Sequence, residues 1–383
     1  MVDDLLSISK CGVQSIETNT SINTLIELKK LQFHTPEPKK PGKCHFLHVG
    51  QSNSLCPGMK VHGVMTQQVQ ETTYLGDIIQ SNGKITSNIK SRVGKGIGLV
   101  TEIMSILKSI SFGFKFFEMA KVLREAILIN GMLTNAEVWY SLGKSEISQL
   151  EQVDHIFLRK LFAAPSSVSI ESLYLEMGII PISILLKSRR VMYLHYLANL
   201  SEDDMLHKMF LTQWKYPVRG DWTEQTKQDL KDLDIQISLD QLKSKSKGSF
   251  KRFLKKKTQE FAFTHLMNLK DKHSKMKNLN YKKLSIQKYL KDEKMSVNEA
   301  QILFMFRTRS AQFKCNMRSQ YTDLSCMFCS LGEDSQPHSF DCEKMKTEIQ
   351  IKGKYEDIFL EKIPTNTVKT LVHILKFREN QPF

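Results

Sequence analysis

Apolar and polar residues form short, broken runs over roughly the first 85 positions and then settle into helical periodicity from about Ser87 onward. Lys43 to Val49 alternates loosely, and Thr72 to Gln80 leads into Asn82-Gly83, a favoured hairpin turn. Thr35-Pro-Glu-Pro-Lys-Lys-Pro-Gly42 carries three prolines and reads as a loop, and a helical stretch around Ile22 to Phe33 interrupts the strands. In the helical part, Phe116, Ala120, Leu123 and Ile127 keep one face, as do Ile147, Leu150, Phe157 and Leu161. Pro181 opens a further helix whose face carries Ile182, Leu185, Leu186, Tyr193 and Leu197. Pro217-Val-Arg-Gly-Asp-Trp222 marks a turn and a boundary. Residues 248 to 312 look helical again, and Lys352 to Phe383 reads as one or two short helices.

This pattern predicts a mainly α fold with a small N-terminal α+β part. Four regions follow: 1–85 with the strands, 86–215 helical, 216–312 a basic helical linker, and 313–383 a tail with a cysteine cluster. A chain of 383 residues exceeds the usual single-core size, so more than one domain is expected. No basic segment followed by an apolar stretch opens the chain, and no run approaches the roughly 18 apolar residues of a spanning helix. The expected location is nuclear or cytoplasmic, not secreted, with no membrane partner.

Charge changes the picture because it is local. Between Lys243 and Lys294 there are 17 Lys or Arg against 4 Asp or Glu, a net of +13 out of +15 for the whole chain. Lys243-Ser-Lys-Ser-Lys247, Lys251-Arg252 and Lys255-Lys256-Lys257 sit among Phe250, Phe253, Phe261, Phe263, Tyr281 and Tyr289. That mix suits phosphate neutralisation with aromatic stacking on RNA or DNA. A solvated helix face or a nuclear-import run would give the same composition. Arg159, Lys160, Lys187, Arg189 and Arg190 decorate the earlier helices, either as a polar face or as further phosphate contacts.

Three of the seven cysteines fall between Cys326 and Cys342, which favours metal ligation in a reducing compartment over disulfides. Cys326-Met-Phe-Cys329, then eight residues to His338 and three more to Cys342, forms the strongest local motif. Cys-x2-Cys grips an ion from a tight turn, and His338 and Cys342 at i and i+4 share a helix face. Four N/S ligands close a tetrahedral sphere, so the ion would be a structural Zn²⁺. Gly332, Asp334 and Pro337 suit a loop between the two pairs. Cys11, Cys44, Cys56 and Cys315 lack comparable partners.

The chain opens Met1-Val2-Asp3-Asp4-Leu5-Leu6. Two adjacent carboxylates between apolar residues suit a hairpin that offers oxygens to Mg²⁺, as in two-metal phosphoryl transfer, although that chemistry needs a further carboxylate from another strand.

Taken in order, these pieces resemble the C-terminal portion of a reverse transcriptase of the non-LTR (LINE-like) retrotransposon type. Met1-Val2-Asp3-Asp4 is similar to the x-x-Asp-Asp hairpin of the polymerase palm, Lys43-Cys44-His45 falls where that family places a Lys, and Thr73-Tyr74-Leu75-Gly76 resembles its primer-grip hairpin. Asn88-Ile89-Lys90 to Lys95-Gly96, Leu123-Arg124 through Gly131, Asn135-Ala-Glu-Val-Trp-Tyr140, Leu158-Arg159-Lys160 and Leu173-Tyr-Leu-Glu-Met-Gly-Ile-Ile-Pro181 resemble the helical thumb and the segment after it. Phe306-Arg307-Thr308-Arg309, Tyr321-Thr-Asp323 and the Cys/Cys/His/Cys cluster resemble the zinc-knuckle-like tail, with a spacing that departs from the retroviral nucleocapsid knuckle. The resemblance implies an RNA-directed DNA polymerase in which Asp3 and Asp4 hold Mg²⁺ as a partial site, while Lys43, Tyr74, Gly76, Lys251, Arg252, Lys255, Lys256 and Lys257 meet nucleic acid. Fingers and the first half of the palm have no counterpart here. The implied protein is therefore truncated and inactive alone, with the missing part of the polymerase as its partner in trans. The alternative is a stand-alone zinc-containing nucleic-acid-binding protein.

Overall fold

The computed structural model describes residues 45–49, 60–61, 64–65, 67–109, 115–140 and 142–380. They are mainly helical, with a small strand part near the N-terminal end. The chain forms two compact units, Met1–Ser91 and Arg92–Phe383.

In the first unit, β1 (His45–Leu47) pairs in parallel with β4 (Gln67–Val69), and β2 (Lys60–Val61) pairs antiparallel with β3 (Val64–Met65). β5 (Glu71–Tyr74) and β6 (Asp77–Gln80) make a hairpin with Tyr74 opposite Asp77. Its two-residue loop is Leu75-Gly76, at φ 47° and 84°. Both lie in the left-handed region, the pattern of a type I′ turn that follows strand twist. Asn82-Gly83, the hairpin turn expected from sequence, instead ends β6: the Lys84 amide donates to Asn82 Oδ1 at 2.8 Å. That bond turns the chain toward α1 (Thr86–Ser109) rather than into a strand. Buried Asn88 then ties the helix start to the hairpin, accepting from the Ile78 amide at 3.2 Å and donating to Asp77 Oδ1 at 2.9 Å.

The second unit continues with α2 (Phe116–Leu123), a π-helical stretch Arg124–Ile129 and α3 (Asn130–Met132). Of the predicted stripe Phe116, Ala120, Leu123 and Ile127, Ala120 is buried and the other three are half-buried, while Phe117, Arg124, Leu128, Ile129 and Met132 take the buried positions. Arg124 is the cause, because it reads as polar yet lies 1% exposed and forks onto Asp154 at 2.7 and 2.5 Å. The wider π turn also rotates the helix face beyond it.

Next come α4 (Lys144–Phe162), α5 (Ile170–Met177), α6 (Ile182–Ala198), α7 (Met205–Lys215), α8 (Trp222–Asp232), α9 (Leu239–Ser244) and α10 (Lys247–Lys270). α6 is central: it packs against α4, α7, α8, α9 and α10. Val191, Leu194 and Leu197 of α6 meet Phe210, Trp222, Leu233, Phe250 and Leu254 in one core. Burying each such side chain contributes roughly 1.5–3 kcal/mol before the entropy of ordering is subtracted. Phe250, Leu254, Thr258, Ala262 and Leu266 recur every four residues as the buried face of α10. The lysine-rich block is thus an amphipathic helix with its apolar side in the core.

The remainder is α11 (Val297–Arg307), α12 (Gln336–Asp341), α13 (Glu343–Glu348) and α14 (Thr365–Glu379). Ser296 and Glu299 close a reciprocal capping box at the start of α11, a Ser-x-x-Glu signature visible in the sequence. α11 packs against α14. Among the described residues no helix is long and apolar enough to cross a membrane.

Candidate metal centre and basic face

The cysteine cluster is built from a turn and a short helix. The Cys326 amide donates to the Gly332 carbonyl at 2.6 Å and the Ser330 amide to the Cys326 carbonyl at 2.9 Å, which folds residues 326–332 into a tight loop. Ser330 sits at φ 57°. Ser335 caps α12 by accepting from the His338 amide at 3.3 Å, and Pro337 stands in the first turn, where its missing N–H costs nothing. Pro337 is therefore a helix starter, not the loop residue its type suggests. α12 presents His338, and its C-cap is Cys342.

The four ligand atoms lie within 4.8 Å of one another. Cys326 Sγ and Cys342 Sγ are 4.0 Å apart, and Cys329 Sγ is 3.2 Å from His338 Nε2. A disulfide would need about 2.05 Å. Tetrahedral bonds of about 2.3 Å to sulfur place ligand atoms roughly 3.8 Å apart, so the donor set fits one four-coordinate ion. Cys326 and Cys342 are buried, while Cys329 and His338 are half-buried. The Leu331 amide, donating to the Cys329 sulfur, pulls that thiol down to about 6, whereas burial pushes Cys342 up to about 11. With both pairs filled by protein, no position is open for substrate, and the site can organise the tail rather than perform chemistry.

Sequence reading missed the contacts that hold this loop in place. Arg378 of α14 reaches Asp334 through two bonds of 2.7 and 2.8 Å, both side chains buried, and its guanidinium lies 4.1 Å from the Phe313 ring centroid. Asp334 also accepts from the Lys314 amide at 2.9 Å, and Phe328 beside Cys329 stacks on Phe377 at 5.0 Å. Gly332 is the other missed residue. A Cβ there would stand 2.7 Å from His338 Cε1 and 2.8 Å from Nδ1, so the ligand ring occupies the space a side chain would need.

On the basic face, Lys251, Arg252, Lys255 and Lys256 are exposed. Lys257 is engaged, donating to Asp234 Oδ2 at 2.9 Å. Phe250, Tyr281 and Tyr289 are buried and leave no ring face for a base, because the amphipathic helix and its neighbours use them as core. Arg159, Lys187, Arg189 and Arg190 are also committed within the protein. Arg159 donates to the Pro165 and Val168 carbonyls, Lys187 and Arg190 to Asp229, and Arg189 to the Leu133 carbonyl. Lys160 is exposed. Tyr74 is half-buried at the end of β5, and Gly76 is exposed in the hairpin loop. Asp3, Asp4 and Lys43 lie outside the described residues. Thus the structure assembles the four metal-ligand candidates and exposes four of the five basic candidates on α10.

No protein-family model, curated protein or solved structure matches this chain.

Proposed function

We propose that this chain is the C-terminal portion of a LINE-like reverse transcriptase, which holds a structural Zn²⁺ and grips RNA and DNA through its basic helix. The observation that carries the reading is the Cys326, Cys329, His338 and Cys342 cluster, whose ligand atoms lie within 4.8 Å of one another in the order the resemblance implies. The exposed row Lys251, Arg252, Lys255 and Lys256 supports it as a surface for phosphates. Asp3 and Asp4 would supply part of a Mg²⁺ site, which needs a further carboxylate from another strand.

Two measurements test this. Purified protein should carry one Zn²⁺ and bind single strands with an affinity that falls steeply with salt. Replacing Lys255 and Lys256 by Ser should flatten the salt dependence by roughly 0.7 log units for each phosphate no longer neutralised, while Lys257→Ser should add little because Asp234 already holds it. A slope unchanged by the first pair would sink the phosphate role of α10. In primer extension on RNA with Mg²⁺ or Mn²⁺, any product should be lost in Asp3→Ala with Asp4→Ala, and product that survives both changes would remove these carboxylates from the Mg²⁺ site.

The stand-alone binding reading draws on one further observation: the ligand cluster and the basic helix belong to the same compact unit, Arg92–Phe383. Full strand affinity in a chain whose polymerase-like residues Asp3, Asp4, Lys43 and Tyr74 are all replaced would favour it.

A further inference from the structure

A cleft of about 310 Å³ opens between α6 and the junction of α9 with α10. One wall is apolar: Met192, Tyr196 and Leu200 line it at intervals of four residues. The other wall is the alternating Lys243-Ser-Lys-Ser-Lys247 segment, which leaves α9, runs extended through Lys245 and enters α10 at its N-cap, Ser246. His195 joins the two walls. It is 4% exposed, its ring stacks on Phe250 at 4.7 Å and 12°, and its Nε2–H donates to the Lys245 carbonyl at 2.9 Å. A carbonyl only accepts, so this bond also fixes the imidazole tautomer. The lysine segment is therefore anchored to α6 through its backbone, and its side chains are left for other partners.

The two walls have complementary chemistry. Tyr196 is 51% exposed, yet its ring is braced against Tyr193 at 5.5 Å and 24°. Among the described residues, no carboxylate pairs with Lys243, Lys245 or Lys247, and no acidic residue lines the cleft. Lys245 Nζ lies 5.8 Å from the Phe253 ring centroid, which gives its ammonium a soft rest without neutralising it. Three uncompensated cations beside the first-turn amides of a 24-residue helix attract anions. An exposed, braced aromatic ring on an apolar wall suits a flat, weakly polar group. A nucleotide carries both features in one unit. The volume is at the low end for small-molecule pockets, which fits one nucleotide and excludes a helix or a duplex.

The geometry points to this cleft as a subsite for one nucleotide of a single strand, with the base against Tyr196 and its flanking phosphates on Lys243, Lys245 and Lys247. The inference rests on the nucleic-acid-binding reading above and adds to it a residue-level address away from the exposed row on α10. An acidic peptide or an anionic membrane would use the lysines without the ring, and that difference is measurable.

The test is fluorescence anisotropy of the full 383-residue chain with an oligothymidylate and with an abasic strand of equal length and charge. Tyr196→Ala should weaken oligothymidylate binding by about ten-fold, in keeping with the loss of one stacked base, and Tyr196→Phe should retain it. The abasic strand should bind more weakly and be indifferent to Tyr196→Ala. Lys243→Ser, Lys245→Ser and Lys247→Ser together should lower the salt slope for either strand by about 1.4, at roughly 0.7 for each of the two flanking phosphates. Equal loss on both strands in Tyr196→Ala would make the ring a structural brace and overturn the subsite. Binding that survives changes at Tyr196 and the three lysines, but vanishes when Lys251, Arg252, Lys255 and Lys256 are replaced, would overturn the subsite and leave the α10 reading standing. Binding to phosphatidylserine vesicles with none to either strand would remove both.

Discussion

Gly332 and the two thiols of shifted acidity decide how the metal centre behaves. The His338 ring stands where a Cβ on residue 332 would go, at 2.7 Å, so Gly332→Ala must move the ligand ring itself. Metal affinity is expected to fall about 10- to 100-fold, the range seen when a group that orients a ligand is changed. Competition with a chromophoric chelator measures it, and Gly248→Ala, where no atom lies within 4 Å, is the control. Equal affinity in both variants would show that the ring has room to spare. The thiols set the pH dependence. Metal binds thiolates, so every thiol still protonated in the free protein releases a proton on loading. Cys342, at about 11, releases one throughout the neutral range, whereas Cys329, at about 6, does so only at or below that pH. Log affinity should therefore rise with pH, with a contribution of about one proton from Cys342 near neutrality and a further one below about pH 6. An affinity flat between roughly pH 6.5 and 8 would contradict the raised Cys342 thiol.

At the scale of elements, the metal centre was legible because its ligands are close in the chain: a Cys-x2-Cys turn and a His-x3-Cys helical pair each fix two donors locally. The basic block was legible from composition, but its exposed face was not. Which lysines point outward depends on the phase of α10, and Lys257 is withdrawn by Asp234, 23 residues away. The same limit hid Arg124 with Asp154, Arg190 with Asp229 and Arg307 with Glu176, since each partner alone reads as polar surface. The link between Asp334 and Arg378 belongs to this group and joins the metal loop to α14, 44 residues away. Removing one partner of a buried pair leaves the other charged and unpaired, at a cost of about 3–5 kcal/mol. Arg378→Met should cost that much in denaturant titration. It should also weaken metal binding, because Asp334 would keep only the Lys314 amide among these partners. Stability and metal affinity both unchanged in Arg378→Met would show that α14 does not hold the loop.

Across the second unit, the C-terminal end of α5 is where distant parts of the chain are fastened together. Glu176 is buried, and its Oε1 accepts from Tyr281 at 2.8 Å and from Arg307 at 3.1 Å. Burial and then the Glu176 charge raise the Tyr281 hydroxyl well above its ordinary range, so it stays a donor. The Glu176 carbonyl accepts from the Gln287 amide at 3.0 Å, Lys121 donates to the Gly178 carbonyl at 2.6 Å, and Arg307 continues to the Ile358 carbonyl at 2.6 Å. Residues 121, 178, 281, 287, 307 and 358 are thereby connected around one helix end. Gly178 makes the approach possible. It closes α5 at φ 59°, and a Cβ there would stand 2.1 Å from the Ser285 carbonyl carbon, a backbone atom that no rotamer change can move. Gly178→Ala therefore combines left-handed strain with displacement of the 285–286 backbone and should destabilise by about 3 kcal/mol or more. For a unit of this size that lowers the melting temperature by about 5 °C or more. The chain's three tryptophans, Trp139, Trp214 and Trp222, report on the α6 side of this unit, and metal release reports on residues 326–342. If the junction makes the unit one cooperative body, both signals in the metal-loaded protein should move down together in Gly178→Ala and stay coincident. A tryptophan transition that shifts while metal release stays at its original temperature would show that the metal loop melts on its own, and that the Arg307 and Arg378 contacts do not couple it to the rest.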